Sequence, residues 1–224
     1  MGTERMINVR RLTDGRPFCA GVVLVQDGCV AVTLNRDIPP GSADVAPFRV
    51  GGVGGGQEPG ETIEQCALRE AAEELGAPLV ELVTSPLTVF HDMDDGGQRT
   101  VRCSDDIAPL LLQRRTNPTP DRPYKPGLPT GPYIYYGMYL ARVDEIRPNP
   151  VDDVAGVLFV PLDAWGRLER GCTFGDMMDA GARFIGHTPI DRNSALWLPA
   201  NESMRTVVSL IGRYGDLVRF AGNA

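Results

Sequence analysis

Three glutamates at helical spacing could hold a metal ion. Glu70, Glu73 and Glu74 lie three and four residues apart, and on a helix such positions fall within an arc of roughly 100°. Like charges at this spacing repel one another by a few tenths of a kcal/mol per pair, a cost that a bound cation removes. Carboxylate oxygens suit magnesium or manganese, so the spacing indicates a metal site. A solvated acidic face is the alternative interpretation.

A helix that presents these glutamates is predicted by its end signals. Thr62 followed by Gln65 is typical of a capping box, and Gly76 before Pro78 is a stop signal. An apolar stripe on the same helix predicts packing against a sheet. It consists of Ala67, Leu68, Ala71, Ala72 and Leu75.

Residues 55–77, GGQEPGETIEQCALREAAEELGA, resemble the Nudix box of the Nudix hydrolase family. The matching positions are Gly55, Glu61, Arg69, Glu70, Glu73, Glu74 and Gly76. The box covers 23 of 224 residues, and Ala77 stands where a larger aliphatic residue is usual. Residues 54–61 also resemble the loop that leads into the box in members of the family.

The resemblance implies a role for each position. The metal ligands would be Glu70, Glu73, Glu74 and the main-chain carbonyl of Gly55. Arg69 would orient Glu61 and hold the loop against the helix. Gly54, Gly55 and Gly60 would allow the backbone to approach a metal or a phosphate closely.

Asp152 and Asp153 precede the apolar run at residues 157–160, where related chains frequently carry acids. They are therefore candidates for further metal ligands, with a solvated turn after two prolines as the equal alternative. At Gly156, where related sequences often have an acid, this chain has none.

The chemistry implied is metal-assisted hydrolysis of a phosphoanhydride bond, in a nucleoside diphosphate linked to another group. One glutamate or an acid from another loop would take the proton of water. A Nudix-fold module that senses a nucleotide or binds a protein is the main rival. An isoprenoid diphosphate isomerase would need an active-site cysteine, and Cys66 inside the box helix is a poor position for one.

Composition excludes several classes of function. The chain has 224 residues, 42% of them hydrophobic, which predicts one compact domain with additions. A net charge of −7 argues against broad nucleic-acid binding. No apolar run could span a membrane, and the polar first residues predict a cytoplasmic protein. Five cysteines without a CxxC pair and two histidines argue for reduced thiols and against zinc.

The remaining pattern predicts an α/β fold. Strands at residues 20–26 and 29–35 flank a hairpin turn at Asp27-Gly28, and the later strand candidates are residues 48–52, 86–92, 133–143 and 157–160. A small helix is expected at residues 161–169. With the box helix, these elements predict the α/β/α sandwich with a mixed sheet that the resemblance implies. The expected domains are a Nudix hydrolase domain at residues 1–170 and a helical extension at residues 171–224.

The sequence allows more than one role for two additional segments and for one strand. A proline-rich insertion at residues 94–132 lacks a pattern; it could clamp phosphates, close as a lid, form the arm of a homodimer or be a surface loop. A C-terminal helix that begins near Asn201 should pack on the core or on a partner. Tyrosines on residues 133–139 could stack on a base, although packing is their more frequent role. The substrate is a small diphosphate compound whose identity the sequence leaves open.

Overall fold

The computed structural model describes residues 6–36, 47–148 and 154–215. These residues form two compact units. The first unit contains residues 6–22, 54–71 and 81–142. The second contains residues 23–36, 47–53, 72–80, 143–148 and 154–215.

The first unit is built on a mixed sheet. Its strands, in chain order, are β1 (Met6–Ile7), β2 (Phe18–Val23), β6 (Val53–Gly56), β7 (Val80–Val83), β8 (Thr88–Asp92), β9 (Gln98–Cys103), β10 (Leu111–Thr116) and β11 (Tyr133–Val143). Within the described residues their order is β1-β9-β8-β10-β11-β2-β6, and β7 also pairs with β11. Strand β8 is parallel to β10 and antiparallel to β9.

The second unit has a mixed sheet of its own. Its strands are β3 (Val25–Gln26), β4 (Cys29–Asn35), β5 (Phe48–Gly51), β12 (Val154–Pro161), β13 (Cys172–Thr173), β14 (Arg183–Gly186) and β15 (Ala195–Trp197). In the part of the chain that the structure describes, the order is β13-β15-β5-β4-β12-β14, with β3 paired to β4. Parallel and antiparallel pairs occur in both sheets, so the predicted α/β class with a mixed sheet is confirmed.

Helices accompany both sheets. They are α1 (Val9–Thr13), α2 (Ile63–Leu75), α3 (Trp165–Arg170), α4 (Phe174–Asp179) and α5 (Ser203–Arg213). A 3₁₀ turn at Leu162–Ala164 leads into α3, where a small helix was predicted. Helix α2 contributes residues to both units. No helix of the described residues is both long and apolar enough to cross a membrane.

The hairpin predicted at Asp27-Gly28 is confirmed. Strands β3 and β4 pair Gln26 with Cys29, and both turn residues have positive φ, 52° at Asp27 and 74° at Gly28. Such a turn matches the twist of the strands that it joins. The run predicted as one strand at residues 20–26 is divided, because β2 ends at Val23 and β3 begins at Val25.

The insertion at residues 94–132 contains more regular structure than its sequence predicts. Strands β9 and β10 lie within it, and its longest stretch without a strand or helix is residues 117–132. Strand β9 escaped prediction because five of its six residues, QRTVRC, are exposed or only partly buried. An apolar alternation that would mark a half-buried strand is therefore missing.

The C-terminal helix begins later than predicted. Helix α5 starts at Ser203 after Glu202, which occupies the N-cap position in place of Asn201. Met204, Val207, Leu210 and Ile211 are buried, so this face packs within the second unit. The helix ends at Arg213, and the predicted contributions of Leu217 and Val218 lie outside the described residues.

Candidate active site

Close backbone packing positions the loop of residues 54–61, which we name the glycine loop. A Cβ atom on Gly54 would lie 2.5 Å from the carbonyl oxygen of Ala20 on the neighbouring strand. Gly60 has a φ of +85°, a conformation that side-chain-bearing residues rarely adopt. The loop is held further by Gln57, whose side-chain oxygen accepts a hydrogen bond of 2.7 Å from the backbone N–H of Phe18.

Helix α2 carries the acidic positions, and both of its ends follow the sequence signals. The Thr62 hydroxyl accepts from the N–H of Gln65 at 3.3 Å, and the Gln65 side chain accepts from the N–H of Thr62 at 2.9 Å. This reciprocal pair is the predicted capping box. The helix ends at Leu75, followed by Gly76 with a φ of +59°.

The buried face of α2 differs from the predicted apolar stripe at Leu68, which is half-buried, and at Ala72. Ala67, Ala71 and Leu75 are fully buried as expected. Ala72 is exposed, and Cys66 is buried instead. The stripe therefore follows a spacing of four residues from Ile63, whose side chain reaches Gly137 of β11; a Cβ there would lie 2.7 Å from the Ile63 Cδ1 atom.

Arg69 joins the glycine loop to the helix. Its Nε donates to Glu61 Oε1 at 2.7 Å, and one terminal nitrogen donates to Glu61 Oε2 at 3.1 Å and to the carbonyl of Gly56 at 2.8 Å. The other terminal nitrogen donates to Glu70 Oε1 at 2.7 Å. The sequence resemblance predicted the contact with Glu61, which the structure contains. Glu61 and Glu70 thus lie on two sides of one guanidinium group.

This ion pair changes the acidity of both partners. The hydrogen bonds from Arg69 lower the pKa of Glu61 below its ordinary value of 4.5, against the smaller opposite effect of burial. The same bonds raise the pKa of Arg69. Glu61 is therefore a carboxylate and Arg69 a cation throughout the neutral range. Their exposed side-chain fractions are 16% and 21%, so water screens the pair only in part.

Glu70 packs against the backbone of Gly55. A Cβ on Gly55 would lie 2.4 Å from Glu70 Oε2 and 2.6 Å from Oε1, so only glycine leaves room for the carboxylate. The Glu70 carboxylate therefore lies against the glycine loop. Hard oxygen donors such as a carboxylate fit magnesium or manganese.

The other predicted ligands lie one helical turn further. Glu73 is exposed and Glu74 is half-buried. Among residues 6–36, 47–148 and 154–215, no group of three acidic, cysteine or histidine side chains is arranged as a metal cage. One Glu70 oxygen is paired with Arg69. Asp152 and Asp153 lie outside the described residues.

Two cysteines near this site are poor nucleophiles. Burial raises the pKa of the Cys66 thiol to about 12, and the charges of Glu70 and Glu61 add to the effect. Burial also raises the pKa of Cys19 to about 11. Thiols with such pKa values stay protonated at neutral pH, and the thiolate is the reactive form. Cys66 is thus unsuited to the cysteine chemistry of an isomerase.

The tyrosines of β11 mostly serve packing. Tyr135 and Tyr139 are 3% and 0% exposed, so neither ring is open to a base. Tyr133 and Tyr136 are partly exposed, but Arg114 lies 4.3 Å from the centroid of the first ring and Arg115 lies 5.3 Å from that of the second. Each of these two rings therefore already has an arginine over it.

A pocket of about 420 Å³ lies in the first unit beside the glycine loop. Its walls come from α1 and the residues after it, from the glycine loop with Thr62, and from the segment 127–129. Sequence reasoning missed this pocket. Nothing near Arg10 or Leu128 in the chain indicates a site, because the pocket exists only once three distant segments meet.

The glycine loop is braced on an acidic helix within an α/β fold, the arrangement that the resemblance to the Nudix box implies. The model of the NUDIX domain matches residues 15–171. The chain therefore belongs to the Nudix family, whose members in general use a divalent metal and act on small-molecule diphosphates. The prediction that the chain is an enzyme, a Nudix hydrolase, is confirmed.

Several solved structures are similar to the chain. A NUDIX hydrolase from Nitrosomonas europaea is 18% identical, with 67% of this chain and 76% of that chain covered and a TM-score of 0.39. A MutT NUDIX hydrolase from Burkholderia pseudomallei is also 18% identical, with coverage of 66% and 84% and a TM-score of 0.38. An ADP-ribose pyrophosphatase from Streptococcus suis is 10% identical, with coverage of 88% and 92% and a TM-score of 0.41. Among curated proteins, none matches the chain.

Proposed function

We propose that the protein is a magnesium- or manganese-dependent hydrolase. Its substrate would be a nucleoside diphosphate linked to another group, and the bond cleaved would be the phosphoanhydride. The observation that supports the proposal is the close approach of the Glu70 carboxylate to the backbone of Gly55, which brings the acidic helix and the glycine loop together.

The roles of the residues follow from their positions. Glu70, Glu73, Glu74 and the carbonyl of Gly55 would hold the metal, and Asp152 and Asp153 are proposed as additional ligands. A bound divalent cation neutralises phosphate charge and lowers the pKa of a bound water. The absence of side chains at Gly54, Gly55 and Gly60 would allow a metal or a phosphate to approach the loop backbone closely. Glu61 and Arg69 keep the loop at a fixed distance from the helix.

Glu70 has two competing partners in this scheme. It is bound to Arg69 in the structure, and its second oxygen lies next to Gly55. A carboxylate can accept several contacts at once, so it can serve Arg69 through one oxygen and a cation through the other. Arg69 would then orient the ligand, as outer partners of metal ligands do in other proteins.

The domain boundary after residue 170 also belongs to the proposal. We assign residues 1–170 to the hydrolase domain and residues 171–224 to an extension. The burial of Val207, Leu210 and Ile211 in the second unit supports packing of the extension on its own chain. The cytoplasmic location and the homodimer arm stay predictions.

The test is hydrolysis of a panel of diphosphate compounds with magnesium or manganese. The panel contains nucleoside triphosphates, nucleotide sugars, dinucleotides and non-nucleotide diphosphates, and the products are separated by chromatography. Glu70→Gln and Glu74→Gln should each lower kcat by at least about a hundredfold, because a charge is lost where the transition state is stabilised. Glu81→Gln, an exposed acid on β7, is the matched control.

Metal binding is measured separately by titration of free Mn²⁺ in an electron paramagnetic resonance experiment. Weaker Mn²⁺ binding by Glu74→Gln, with Glu81→Gln like the parent, is the expected result. Turnover by Glu74→Gln at the parental rate would overturn the ligand assignment. No turnover on any compound, with equal nucleotide binding by parent and variant, would favour the sensing module.

A further inference from the structure

The 420 Å³ pocket has walls that differ in chemistry. Polar groups come from Arg10, Asp14 and Gln57, and apolar surface comes from Leu128 and Pro129. Its volume lies within the range of small-molecule sites, roughly 300–1,000 Å³. The mixture of hydrogen-bonding groups with apolar surface is therefore that of a binding site for a small polar molecule.

The wall formed by residues 127–129 is held in place from its base. These residues belong to residues 117–132, which we name the Asn117 loop. The two ends of the loop are joined by a hydrogen bond of 2.9 Å from the N–H of Asn117 to the carbonyl of Pro132. The buried Asn117 side chain donates to Gly131 at 2.9 Å and accepts from the N–H of Thr119 at 3.0 Å. A loop with joined ends and internal bonds is a compact Ω-type loop, a kind that is frequently functional.

The Asn117 loop reaches the glycine loop directly. A Cβ on Gly127 would lie 3.4 Å from the Cγ atom of Pro59. On the opposite wall, Arg10 lies 3.6 Å from Glu64 Oε1, whose side chain is only 9% exposed. The second Glu64 oxygen is buried and has no hydrogen-bond partner. Arg10 itself is 65% exposed and lines the pocket.

The charges of the lining argue against an anionic occupant. Arg10 faces Asp14 and Glu61 in the same lining, and Glu61 is already neutralised by Arg69. No net positive charge remains to attract a phosphate. A flat base is also disfavoured, because the sole aromatic residue in this lining, Phe18, is only 5% exposed and offers no open ring face.

We propose that this pocket binds an uncharged, hydroxyl-rich ring, the sugar attached to the diphosphate. The inference rests on the proposed function. The carboxylate of Asp14 can accept from hydroxyl groups, and the guanidinium of Arg10 can donate to them. Leu128 and Pro129 contact the apolar faces of the ring.

The position of the pocket agrees with this assignment. Glu61 lines the pocket and also binds Arg69, which binds Glu70 on its other side. The pocket therefore shares Glu61 with the ion pairs that lead to Glu70. In the proposed complex, the phosphates attached to the sugar lie on the side of these ion pairs. Arg10 and Leu128 are then residues that determine specificity.

The experiment compares two pairs of substrates that differ only in the terminal group. ADP-glucose is matched with ATP, and UDP-glucose with UTP, using the full chain and magnesium. Arg10→Ala should raise the KM for the nucleotide sugars by about tenfold, the effect of losing one hydrogen bond to a charged group. Leu128→Trp, which fills the pocket, should act in the same direction. The KM for ATP and UTP and the kcat for all four substrates should stay at the parental values.

Arg11→Ala and Tyr124→Ala are the matched controls, because both residues are exposed and neither lines the pocket. Equal changes in these controls, or equal changes for ATP and ADP-glucose, would overturn the proposal. Absence of nucleotide-sugar hydrolysis with turnover of other compounds would overturn the sugar pocket and leave the hydrolase proposal intact. If no compound is hydrolysed, calorimetric titration with ADP-glucose decides, and binding unaffected by Arg10→Ala would again refute the pocket.

Discussion

The glycine loop and the Asn117 loop meet at Pro59 and Gly127, yet they are held by different forces. Charge holds the first loop, through the bonds of Arg69 to Glu61 and to the carbonyl of Gly56. Neutral amide bonds hold the second, through the side chain of Asn117 and the closure at its base. The charged anchor is at the same time part of the candidate site, whereas the neutral anchor lies at the base of the Asn117 loop.

This difference indicates a division of function between the loops. Changes at the charged anchor disturb chemistry and stability together, because Arg69 touches Glu70. Changes at the neutral anchor should reach only the pocket wall at residues 127–129. The two loops therefore predict two kinds of variant, one that loses kcat and one that loses affinity for the terminal group.

The largest effect is expected from Arg69→Ala. It removes hydrogen bonds to two carboxylates and one carbonyl, and it leaves Glu61 and Glu70 without their shared cation. We expect kcat/KM to fall by at least about a hundredfold, since small displacements of a catalytic group cost that much. The free energy of unfolding should fall by about 2 kcal/mol. Kinetics and urea denaturation measure the two effects.

Arg69→Lys is the informative companion. Lysine keeps the charge but cannot offer the planar fork that spans Glu61 and the Gly56 carbonyl. It should recover part of the stability and little of the activity. Full activity of either variant would show that the brace is not needed for catalysis.

Gly55→Ala separates geometry from charge. The new methyl group would lie 2.4 Å from Glu70 Oε2, so the carboxylate must move away from the loop. We expect kcat to fall by about a hundredfold while the unfolding free energy changes little. Gly56→Ala is the control, because its methyl group would meet no atom within 4 Å. If the two variants show equal activity, the contact of Glu70 with Gly55 has no catalytic importance.

The pH dependence of stability distinguishes the two anchors. Because the folded pKa of Glu61 is lowered, its stabilisation is present above 4.5 and is lost as pH falls through the lower folded value. The unfolding free energies of the parent and Glu61→Gln should therefore differ by about 1 kcal/mol near neutrality and converge in acid. Thermal and urea denaturation between about pH 7 and pH 3 measures the difference. A difference that is constant across this range would show that the carboxylate charge of Glu61 does not stabilise the fold.

The two loops also differ in how well sequence predicts them. The capping box at Thr62 was predicted from local spacing, and the contact of Arg69 with Glu61 was predicted from the resemblance to the Nudix box. The predicted apolar stripe of α2 is wrong at Ala72, which is exposed. Helical periodicity alone does not show where the helix meets its sheet. Strand β9 was missed because its exposed residues carry no apolar alternation.

The pocket could not be predicted from the sequence. Arg10, Glu61 and Leu128 belong to three segments that are far apart in the chain, and none carries a local signature. Such a site depends on long-range strand pairing, which local propensity does not encode. The Asn117 loop has turn-forming residues throughout, so its sequence gives the loop but not the partner that it contacts.

Among these variants, Asn117→Ala should have the smallest effect on activity, and the effect should be confined to the nucleotide sugar. Asn117 is 6% exposed, and its removal leaves the Gly131 carbonyl and the Thr119 N–H without their side-chain partner. We expect a loss of about 1 kcal/mol in unfolding free energy, which is the same at neutral and acidic pH because no titrating group is involved. The KM for ADP-glucose should rise while the kcat for ATP stays at the parental value.

Asn193→Ala, at an exposed turn, provides the control for this variant. Its free energy of unfolding and both kinetic constants should match those of the parent. If Asn117→Ala lowers kcat for ATP as strongly as Gly55→Ala does, the Asn117 loop contributes to the chemistry itself, and the division between the two loops is wrong. If Asn117→Ala changes the kinetic constants for neither ATP nor ADP-glucose, residues 127–129 do not depend on the Asn117 anchor for their position at the pocket.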